Sequence, residues 1–479
     1  MDDVIIIGAG VCGCSLAYEL SRYQVKTLLL EKENDVSEGT TKANSAIVHA
    51  GYDPKPQTKM ASYNVEGNAI IEQLSADLDI PYKKIGSLVV GFDETDRKTI
   101  EKLLDQGIQN GVKGLRIIEK DELLAMEPNL TKEALCALYA PSAGIIAPWE
   151  LAIAQAECAV MGGTKIQLNA EVLSIEKIDG GFNVRTTAGD FKARFVVNAA
   201  GVNSGTVSRM LEPEFFSIVP KSGEYYLLDT TENGIVNMVI FPCPSDLGKG
   251  ILVSPTIHDN VIVGPDSKVV DDKDDLGCTS EGLENVRKGA LRLVPNVNIR
   301  ASIRNFSGIR ADAQMEDFIV GQSKTVKGFF NMAGIKSPGL TSAPAIAKDI
   351  AAELNQAGLE FKPNPNFVSK RRIKRFKHMT EAQKAQAIKE NPAYGAIVCR
   401  CQTVTEGEIL DALNRPVPPV SLDGVKRRTV AGMGRCQGGF CGPRVHSLIA
   451  QKLKKNQKDI TLDKGGTYIV LGETKRGKI

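Results

Sequence analysis

The first 31 residues constrain the fold more than any other part of the chain. They hold the apolar run Val4–Ile7, the turn Gly8-Ala9-Gly10-Val11-Cys12-Gly13, and a second apolar run that ends at Glu31. A run of β-branched residues is typical of a buried parallel strand, and the residues after Gly13 have helical character. This order predicts a dinucleotide-binding βαβ unit, in which Gly8 makes the tight turn, Gly10 admits a pyrophosphate and Gly13 allows close helix–strand packing. We expect the helix N-terminus to bind phosphates and Glu31 to accept a hydrogen bond from a ribose hydroxyl.

Three later segments identify the nucleotide. Gly39–Tyr52 resembles the flavin-contacting loop of the D-amino-acid oxidase superfamily, and its nearest look-alikes are the glycerol 3-phosphate oxidases and dehydrogenases and the L-2-hydroxyglutarate dehydrogenases. Phe195–Gly201 is similar to the strand that returns to the nucleotide domain, and Gly334–Thr341 is similar to the second flavin-binding turn. Besides Gly8, Gly10, Gly13 and Glu31, the resemblance implies FAD contacts at Thr40, Thr41, Asn44, Ser45, Val172, Ala200, Gly201, Gly334, Pro338, Gly339, Leu340 and Thr341.

His49 is the candidate for the chemistry. Oxidising a secondary alcohol requires removal of the hydroxyl proton while hydride leaves carbon, and a neutral imidazole suits that task at neutral pH. The resemblance implies a substrate-facing histidine here, although a similarly placed histidine is bonded to the flavin in dimethylglycine dehydrogenases; a structural histidine is the third reading. Arg310 matches the family arginine that meets the anionic end of the substrate, with a surface salt bridge as its alternative. Ser337 and Lys336 flank the flavin turn and can add donors to the same anion.

The predicted fold class is α/β: a Rossmann-like FAD-binding domain interleaved in the chain with an α+β substrate lobe on an antiparallel sheet. Short apolar runs between turn residues, such as Gly86–Phe92 and Val261–Gly264, predict the strands of that lobe, and residues 98–126 have helical spacing. The expected organisation is an oxidoreductase domain at 1–360 (FAD-binding segments at about 1–80, 145–215 and 300–360; substrate-lobe segments at about 81–144 and 216–299), a linker at 361–394, a cysteine domain at 395–455 and a tail at 456–479.

Four cysteines near the C-terminus have the spacing of a metal site. Cys399-x-Cys401 followed by Cys436-x4-Cys441 resembles the bacterioferritin-associated-ferredoxin-like [2Fe–2S] domain, and nearby glycine amides can donate to cluster sulfurs. Structural zinc is the alternative, which a C-x-C pair disfavours because zinc knuckles usually use C-x2–4-C pairs. Beyond these ligands, Thr467–Leu471 is expected to add a terminal strand.

The net charge, the lengths of the apolar runs and the number of cysteines indicate the compartment and the kinds of partner. A net charge of +2 gives no reason to expect a nucleic-acid partner, and no apolar run approaches the roughly 18–20 residues of a membrane span. Without a secretory layout at the start, the ten cysteines are expected to be reduced and the protein cytoplasmic, or peripheral to the inner face of the cell membrane. The basic run Lys370–Lys377 is read first as a solvated face, and otherwise as a docking site for an acidic protein or an anionic membrane surface.

The combination of a flavin domain and a cluster domain resembles the catalytic subunits of the anaerobic glycerol 3-phosphate dehydrogenase family. The resemblance implies oxidation of sn-glycerol 3-phosphate to dihydroxyacetone phosphate, with electrons leaving through the cluster to a flavoprotein or quinone-linked subunit in an oligomer or multi-subunit complex. The alternatives are a 2-hydroxy-acid dehydrogenase such as one for L-2-hydroxyglutarate, a secondary-amine dehydrogenase, and an electron-relay subunit that has lost substrate turnover; intact His49 and Arg310 argue against the last.

Overall fold

A computed structural model describes residues 1–212, 216–244 and 250–472 of the 479-residue chain. The strands, numbered in chain order, are β1 Asp2–Ile7, β2 Thr27–Leu30, β3 Ile47–Val48, β4 Tyr82–Lys84, β5 Ser87–Gly91, β6 Arg116–Glu119, β7 Cys136–Ala140, β8 Gly144–Ile146, β9 Lys165–Gln167, β10 Val172–Ile178, β11 Gly181–Thr186, β12 Gly189–Asn198, β13 Val219–Leu228, β14 Val239–Pro242, β15 Leu252–Pro255, β16 Val261–Gly264, β17 Lys268–Val269, β18 Ser302–Asp312, β19 Ile319–Gln322, β20 Phe329–Ala333, β21 Ile397–Cys399 and β22 Val404–Thr405. The α-helices are α1 Val11–Leu20, α2 Lys59–Leu78, α3 Glu94–Gln109, α4 Lys120–Met126, α5 Pro148–Met161, α6 Ser204–Arg209, α7 Ser280–Leu293, α8 Gly339–Gln356, α9 Glu381–Glu390, α10 Glu406–Ala412, α11 Leu422–Thr429 and α12 Gly442–Leu453.

The first sheet is the nucleotide-binding one and confirms the predicted α/β class. Its order is β10-β11-β12-β1-β2-β9, with β20 added beside β12 and β19 beside β20. Strand β1 runs parallel to both β12 and β2, and its apolar residues Val4–Ile7 are at most 5% exposed. Because parallel strands present their carboxyl ends at one edge, the residues that follow β1, β2 and β12 meet there. Helices α1, α5 and α8 pack against this sheet in one apolar core.

The second sheet carries the substrate-side residues. It has the order β17-β13-β16-β15-β14-β5-β7-β6, with β18 along the other edge of β13. The pairs are antiparallel except β14 with β5, which are parallel, so the sheet is mixed rather than purely antiparallel as the sequence predicts. Strand β18 places residues 302–312 on this sheet, although the sequence assigns them to an FAD-binding segment beginning at about 300. The predicted helical stretch 98–126 is two helices, α3 and α4, separated by strand β6. A small third sheet, β3-β8-β4, adjoins the nucleotide edge.

The C-terminal region forms its own small core. Strands β21 and β22 pair, and α10, α11 and α12 bury Ile409, Val425 and Ile449 between them. The predicted terminal strand over 467–471 is wrong: a single bridge joins Thr461 to Tyr468 and no ladder follows. The tail is described as far as Gly472. None of the helices in the described ranges has the length and apolarity that a bilayer crossing requires.

Two arginines of the basic run in the linker pack onto the flavin domain, whereas Lys370, Arg372, Lys374 and Lys377 are exposed, as a solvated face would be. Arg371 is 6% exposed, and its Nε lies 2.7 Å from the Glu157 carboxylate on α5. Arg375 lies 2.9 Å from both Asp79 and Glu150. Both interpretations of this run from the sequence, a free face and a docking site, therefore fail for these arginines, because their charges are already paired within the chain.

Candidate functional site

The glycine turn after β1 has the backbone geometry that the sequence predicts. Gly8 has φ of +103°, and a Cβ on it would lie 2.6 Å from the Ala199 carbonyl oxygen, so only glycine fits. A Cβ on Gly13 would lie 1.9 Å from the Gly8 oxygen, which shows how closely α1 approaches the turn. Gly10 precedes α1 and contributes no capping side chain. Gly10 and Val11 line the cavity, so the start of α1 faces it, which fits a bound pyrophosphate.

Glu31 lies directly after β2, at the same edge as the turn. Its Oε2 accepts from the Ala9 amide at 2.7 Å and its Oε1 from the Glu33 amide at 3.0 Å. Burial raises the pKa of the Glu31 carboxyl, although these two amides act in the opposite direction. The carboxylate is thus held in one orientation at the cavity wall, and its hydrogen bond to a ribose hydroxyl stays a prediction.

The predicted flavin loop ties the glycine turn to the substrate sheet. Thr41 Oγ1 accepts from the Val11 amide at 3.0 Å, and Thr40 Oγ1 donates to the Ile309 carbonyl on β18 at 2.6 Å. Asn44 donates to the carbonyls of Thr40 and Thr41, which closes the loop on itself. Changes in this loop would consequently move both walls of the cavity.

A single open cavity of about 1680 Å³ runs along these elements. Most of the predicted cofactor residues line it: Gly8, Gly10, Glu31, Thr40, Thr41, Asn44, Ser45, Val172, Ala200, Gly201, Pro338, Gly339 and Leu340. Gly13, Gly334 and Thr341 do not. Gly13 serves helix packing, Gly334 supplies a turn with φ of +63°, and Thr341 is buried beneath His49. A long cavity that begins at a helix N-terminus and a glycine turn fits an extended dinucleotide such as FAD.

His49 follows β3 and faces the same cavity. Its Nε2 is 3.2 Å from Ser337 Oγ, so the two motifs that lie far apart in the sequence meet here. The His49 amide donates to Thr341 Oγ1, and its carbonyl accepts from Asn64. The ring of Phe241 stacks on the imidazole with centroids 5.9 Å apart. The backbone and ring of His49 are therefore fixed, while Nε2 remains beside a hydroxyl at the cavity wall.

Arg310 forms part of a cationic corner of the cavity. Its guanidinium donates to the Asp266 carbonyl at 2.9 Å and to Ser267 Oγ at 3.2 Å. Nearby, Asp312 accepts from Lys336 at 2.8 Å and from Lys221 at 2.7 Å. Burial would raise the pKa of Asp312, but hydrogen bonds from the two lysines outweigh it and lower the pKa to about 2.

Lys221 is a cavity residue that the sequence did not predict. It pairs directly with Arg310 across β13 and β18, so the two side chains share a face of the sheet. A single lysine in a strand matches no sequence motif, so its place in the cavity is shown only by the register of β13 with β18. Lys221, Lys336 and Arg310 give this corner three cations, and Asp312 and Asp266 give it two carboxylates. The excess of positive charge favours an anionic ligand.

The four predicted ligand cysteines lie together in two pairs. The sulfurs of Cys401 and Cys436 are 3.7 Å apart, and the Cys441 thiol donates to Cys399. That hydrogen bond, joined by amides of the surrounding loop, lowers the pKa of Cys399 to about 6. Within the described residues, no three His, Cys, Asp or Glu side chains converge on a single metal position.

Backbone amides around the sulfurs also fit a cluster. Amides of Gly432 and Gln402 donate to Cys399, and those of Phe440 and Gly438 donate to Cys436. Such donors stabilise the negative charge of a thiolate-bound [2Fe–2S] cluster. The remaining cysteines are dispersed: Cys12 and Cys14 lie in α1, Cys136 in β7 and Cys158 in α5, while Cys243 and Cys278 lie in loops.

The cluster region completes one wall of the cavity, which the sequence did not indicate. Lys426, Met433 and Gln437 line the cavity together with the flavin loop, and Gln437 Oε1 accepts from Arg304 at 3.4 Å. Gln437 is the residue after the predicted ligand Cys436. The loop that holds the cluster thus borders the cavity that holds the dinucleotide.

Comparisons with known proteins agree with this geometry. A family model described as FAD dependent oxidoreductase matches residues 3–353, and one described as BFD-like [2Fe-2S] binding domain matches residues 397–451. A glycerol 3-phosphate dehydrogenase from Caloramator mitchellensis is 46% identical over 476 residues, covering 99% of each chain. A crystal structure of dithionite-reduced L-alpha-glycerophosphate oxidase from Mycoplasma pneumoniae with FAD bound is 31% identical, with a TM-score of 0.73 over 77% of this chain and 98% of that one. The mitochondrial L-2-hydroxyglutarate dehydrogenase of Arabidopsis thaliana is 27% identical over 400 residues, 73% of this chain and 82% of its own.

Proposed function

Because the chain belongs to the family of FAD-dependent oxidoreductases, we propose that it oxidises sn-glycerol 3-phosphate to dihydroxyacetone phosphate and passes the electrons through a [2Fe–2S] cluster to a partner. The observation that carries the proposal is that a histidine, a serine and a cationic corner line one cavity. The similarity to glycerol 3-phosphate dehydrogenase over the whole chain supports the same substrate.

FAD, when bound, supplies the hydride acceptor for this reaction. His49 removes the proton of the substrate hydroxyl through Nε2, the nitrogen that faces Ser337. This requires the tautomer with the proton on Nδ1, which leaves Nε2 as the acceptor. Ser337 holds the imidazole in place. When the substrate binds, its hydroxyl takes the position beside Nε2 that the Ser337 hydroxyl occupies at 3.2 Å.

The cationic corner would bind the phosphate. Arg310 offers a planar fork to a tetrahedral dianion, and Lys336 and Lys221 add charge beside it. Asp312 holds both lysines by hydrogen bonds, so they are positioned before the substrate arrives. A carboxylate could pair with the same fork, so the geometry alone leaves 2-hydroxy acids as competing substrates.

The test is anaerobic reduction of the bound flavin. Glycerol 3-phosphate should bleach the flavin absorbance, and glycerol should not, because it lacks the anion that the cationic corner requires. Bleaching by L-2-hydroxyglutarate or a secondary amine, with none by glycerol 3-phosphate, would refute the substrate assignment. No bleaching by any of these substrates would instead favour an electron-relay subunit.

The electron acceptor and the assembly follow from the cluster. We propose a flavoprotein or quinone-linked subunit as acceptor, in an oligomer or multi-subunit complex, since a cluster that carries one electron at a time serves transfer to a partner. We place the protein in the cytoplasm. The alternative, a peripheral position at the inner face of the cell membrane, is tested by fractionation. We also retain the domain division at about 360 and 395, supported by the separate core of the cluster region.

A further inference from the structure

The cluster is open to solvent on one side, and an exposed aromatic ring lies there. Cys401 is exposed and Cys436 is half-buried, whereas Cys399 and Cys441 are buried. Phe440 lies in the loop between two of the ligands and is 86% exposed, which makes it, with Leu471, the most exposed large apolar side chain in the described part of the chain. Single exposed apolar side chains are common on protein surfaces, so what singles out Phe440 is its place directly before the predicted ligand Cys441.

The charges around this opening are predominantly positive. Arg400 lies between the ligands Cys399 and Cys401, is exposed, and makes no ion pair with any residue that the structure describes. Arg435 and Arg444 are also exposed and lie one and three residues from a ligand. The two nearby acids pair with two of these arginines, Glu406 with Arg444 and Asp229 with Arg435, so the positive excess of the opening comes from Arg400.

We propose that Phe440, Arg400, Arg435 and Arg444 form a docking patch for an acidic redox protein that takes electrons from the cluster. The inference rests on the proposed function, which requires an electron outlet. Phe440 fills an apolar pocket of the partner next to the exposed cluster ligand, and the arginine rim attracts and orients its acidic surface.

Binding and transfer are tested with the holoenzyme and two haem proteins of opposite charge: cytochrome b5, which is acidic, and cytochrome c, which is basic. After reduction by glycerol 3-phosphate, transfer to cytochrome b5 should slow by about tenfold between low and physiological salt, whereas transfer to cytochrome c should not slow. Arg400→Gln should reduce the rate with cytochrome b5 by about threefold at low salt. Lys113→Gln, an exposed lysine of the substrate lobe, is the matched control and should leave it unchanged.

Phe440 is tested by the dissociation constant for cytochrome b5, measured calorimetrically on the same preparations. Phe440→Ser should weaken binding by about thirtyfold, as expected for a central aromatic anchor. Ile108→Ser removes an apolar side chain that is 59% exposed on α3 and should have no effect. Iron and absorbance measurements confirm that each variant keeps its cluster.

Three outcomes would overturn the patch. The first is a rate with cytochrome b5 that is insensitive to salt or to Arg400→Gln; the second is unchanged affinity in Phe440→Ser. The third is binding to phosphatidylserine vesicles that Phe440→Ser abolishes, since the patch would then be a membrane surface. Failure of glycerol 3-phosphate to bleach the flavin would refute the proposed function instead, and chemical reduction with dithionite would still allow the patch to be tested.

Discussion

A buried carboxylate, Asp35, lies at the contact between the cluster region and the flavin domain. Asp35 accepts from Arg428 at 2.7 Å through each of Nη1 and Nη2, and from Arg427 at 2.9 Å. The side chains of the three residues are at most 3% exposed. Burial would raise the pKa of Asp35, but the two guanidiniums lower it, so the carboxyl is charged at neutral pH. Asp35→Ala would leave Arg428 with the Gly424 carbonyl and with Glu157 at 4.0 Å.

The expected loss of stability is large because the guanidiniums stay buried. Breaking a buried ion pair by removing one partner costs about 3–5 kcal/mol, a factor of roughly 10² to 10⁴ in the docking equilibrium. Since the network also includes Glu38, directly before the predicted flavin loop, and Lys42 within it, undocking should release FAD. The assay is the urea concentration at which flavin fluorescence appears, compared between wild type and Asp35→Ala.

Two variants separate this explanation from a general loss of charge. Glu122→Ala breaks a bidentate pair with Arg116 whose side chains are 46% and 48% exposed, and it should not shift FAD release measurably. Adding Arg428→Met to Asp35→Ala should recover part of the loss, because one unpaired buried charge is removed. If Asp35→Ala shifts the midpoint no more than Glu122→Ala, the buried network does not hold the two regions together.

Four further predictions follow from the site and the interface. His49→Ala should lower the rate of flavin reduction by about 10²–10⁴-fold while FAD stays bound, measured by anaerobic stopped flow; a near-normal rate would make His49 structural, and flavin that remains attached after acid denaturation of the wild type would indicate a covalent link. Arg310→Lys should raise the KM for glycerol 3-phosphate much more than it lowers kcat, because an ammonium cannot make the planar fork; steady-state kinetics with an unchanged KM would exclude Arg310 from phosphate binding. Replacing Cys436 and Cys441 together with Ser should leave flavin reduction unchanged and abolish electron transfer to the partner. Rapid peroxide production at the full turnover rate, equal in the wild type and the double variant, would show that the cluster is off the electron path. Lys42 and Arg427 outweigh burial and lower the pKa of Asp463 to about 2. The charged Asp463 therefore contributes its full stabilisation above about pH 4 and loses it as the pH falls through about 2. Asp463→Asn should reduce the dependence of the free energy of unfolding on pH in this acidic range, and an unchanged dependence would contradict the prediction.

Local signals in the sequence predicted the strand, turn and helix of the nucleotide edge and the proximity of the four cysteines. The order strand, glycine turn, helix and acid is read from adjacent residues, and β1, α1 and Glu31 lie where it predicts. The proximity of His49 to Ser337 was implied only by the resemblance, since nothing local relates residues that far apart. The cysteine spacing likewise predicted a common site, and the sulfurs of Cys401 and Cys436 lie together.

Features that depend on register or on domain contact were not predictable. Lys221 joins the cationic corner because β13 and β18 pair in one particular register, which short apolar runs do not specify. The charges of Arg371 were read as solvent-facing because composition does not show which acid in the folded chain lies opposite. The expected terminal strand at 467–471 has the right residue types but no neighbouring strand with which to form a ladder.

The buried charges decide how electrons can leave. Glu157 contacts Arg371 of the linker and lies 4.0 Å from Arg428 of the cluster region, so one acid of α5 bridges both to the flavin domain. Asp463 of the tail pairs with Arg427 and Lys42, and so also holds the cluster region against the flavin domain. A cluster region fixed at this many points is not free to carry electrons by swinging away from the flavin, as a tethered domain would. The partner must therefore approach the cluster, and the side that remains open to it is the one that exposes Cys401 and Phe440.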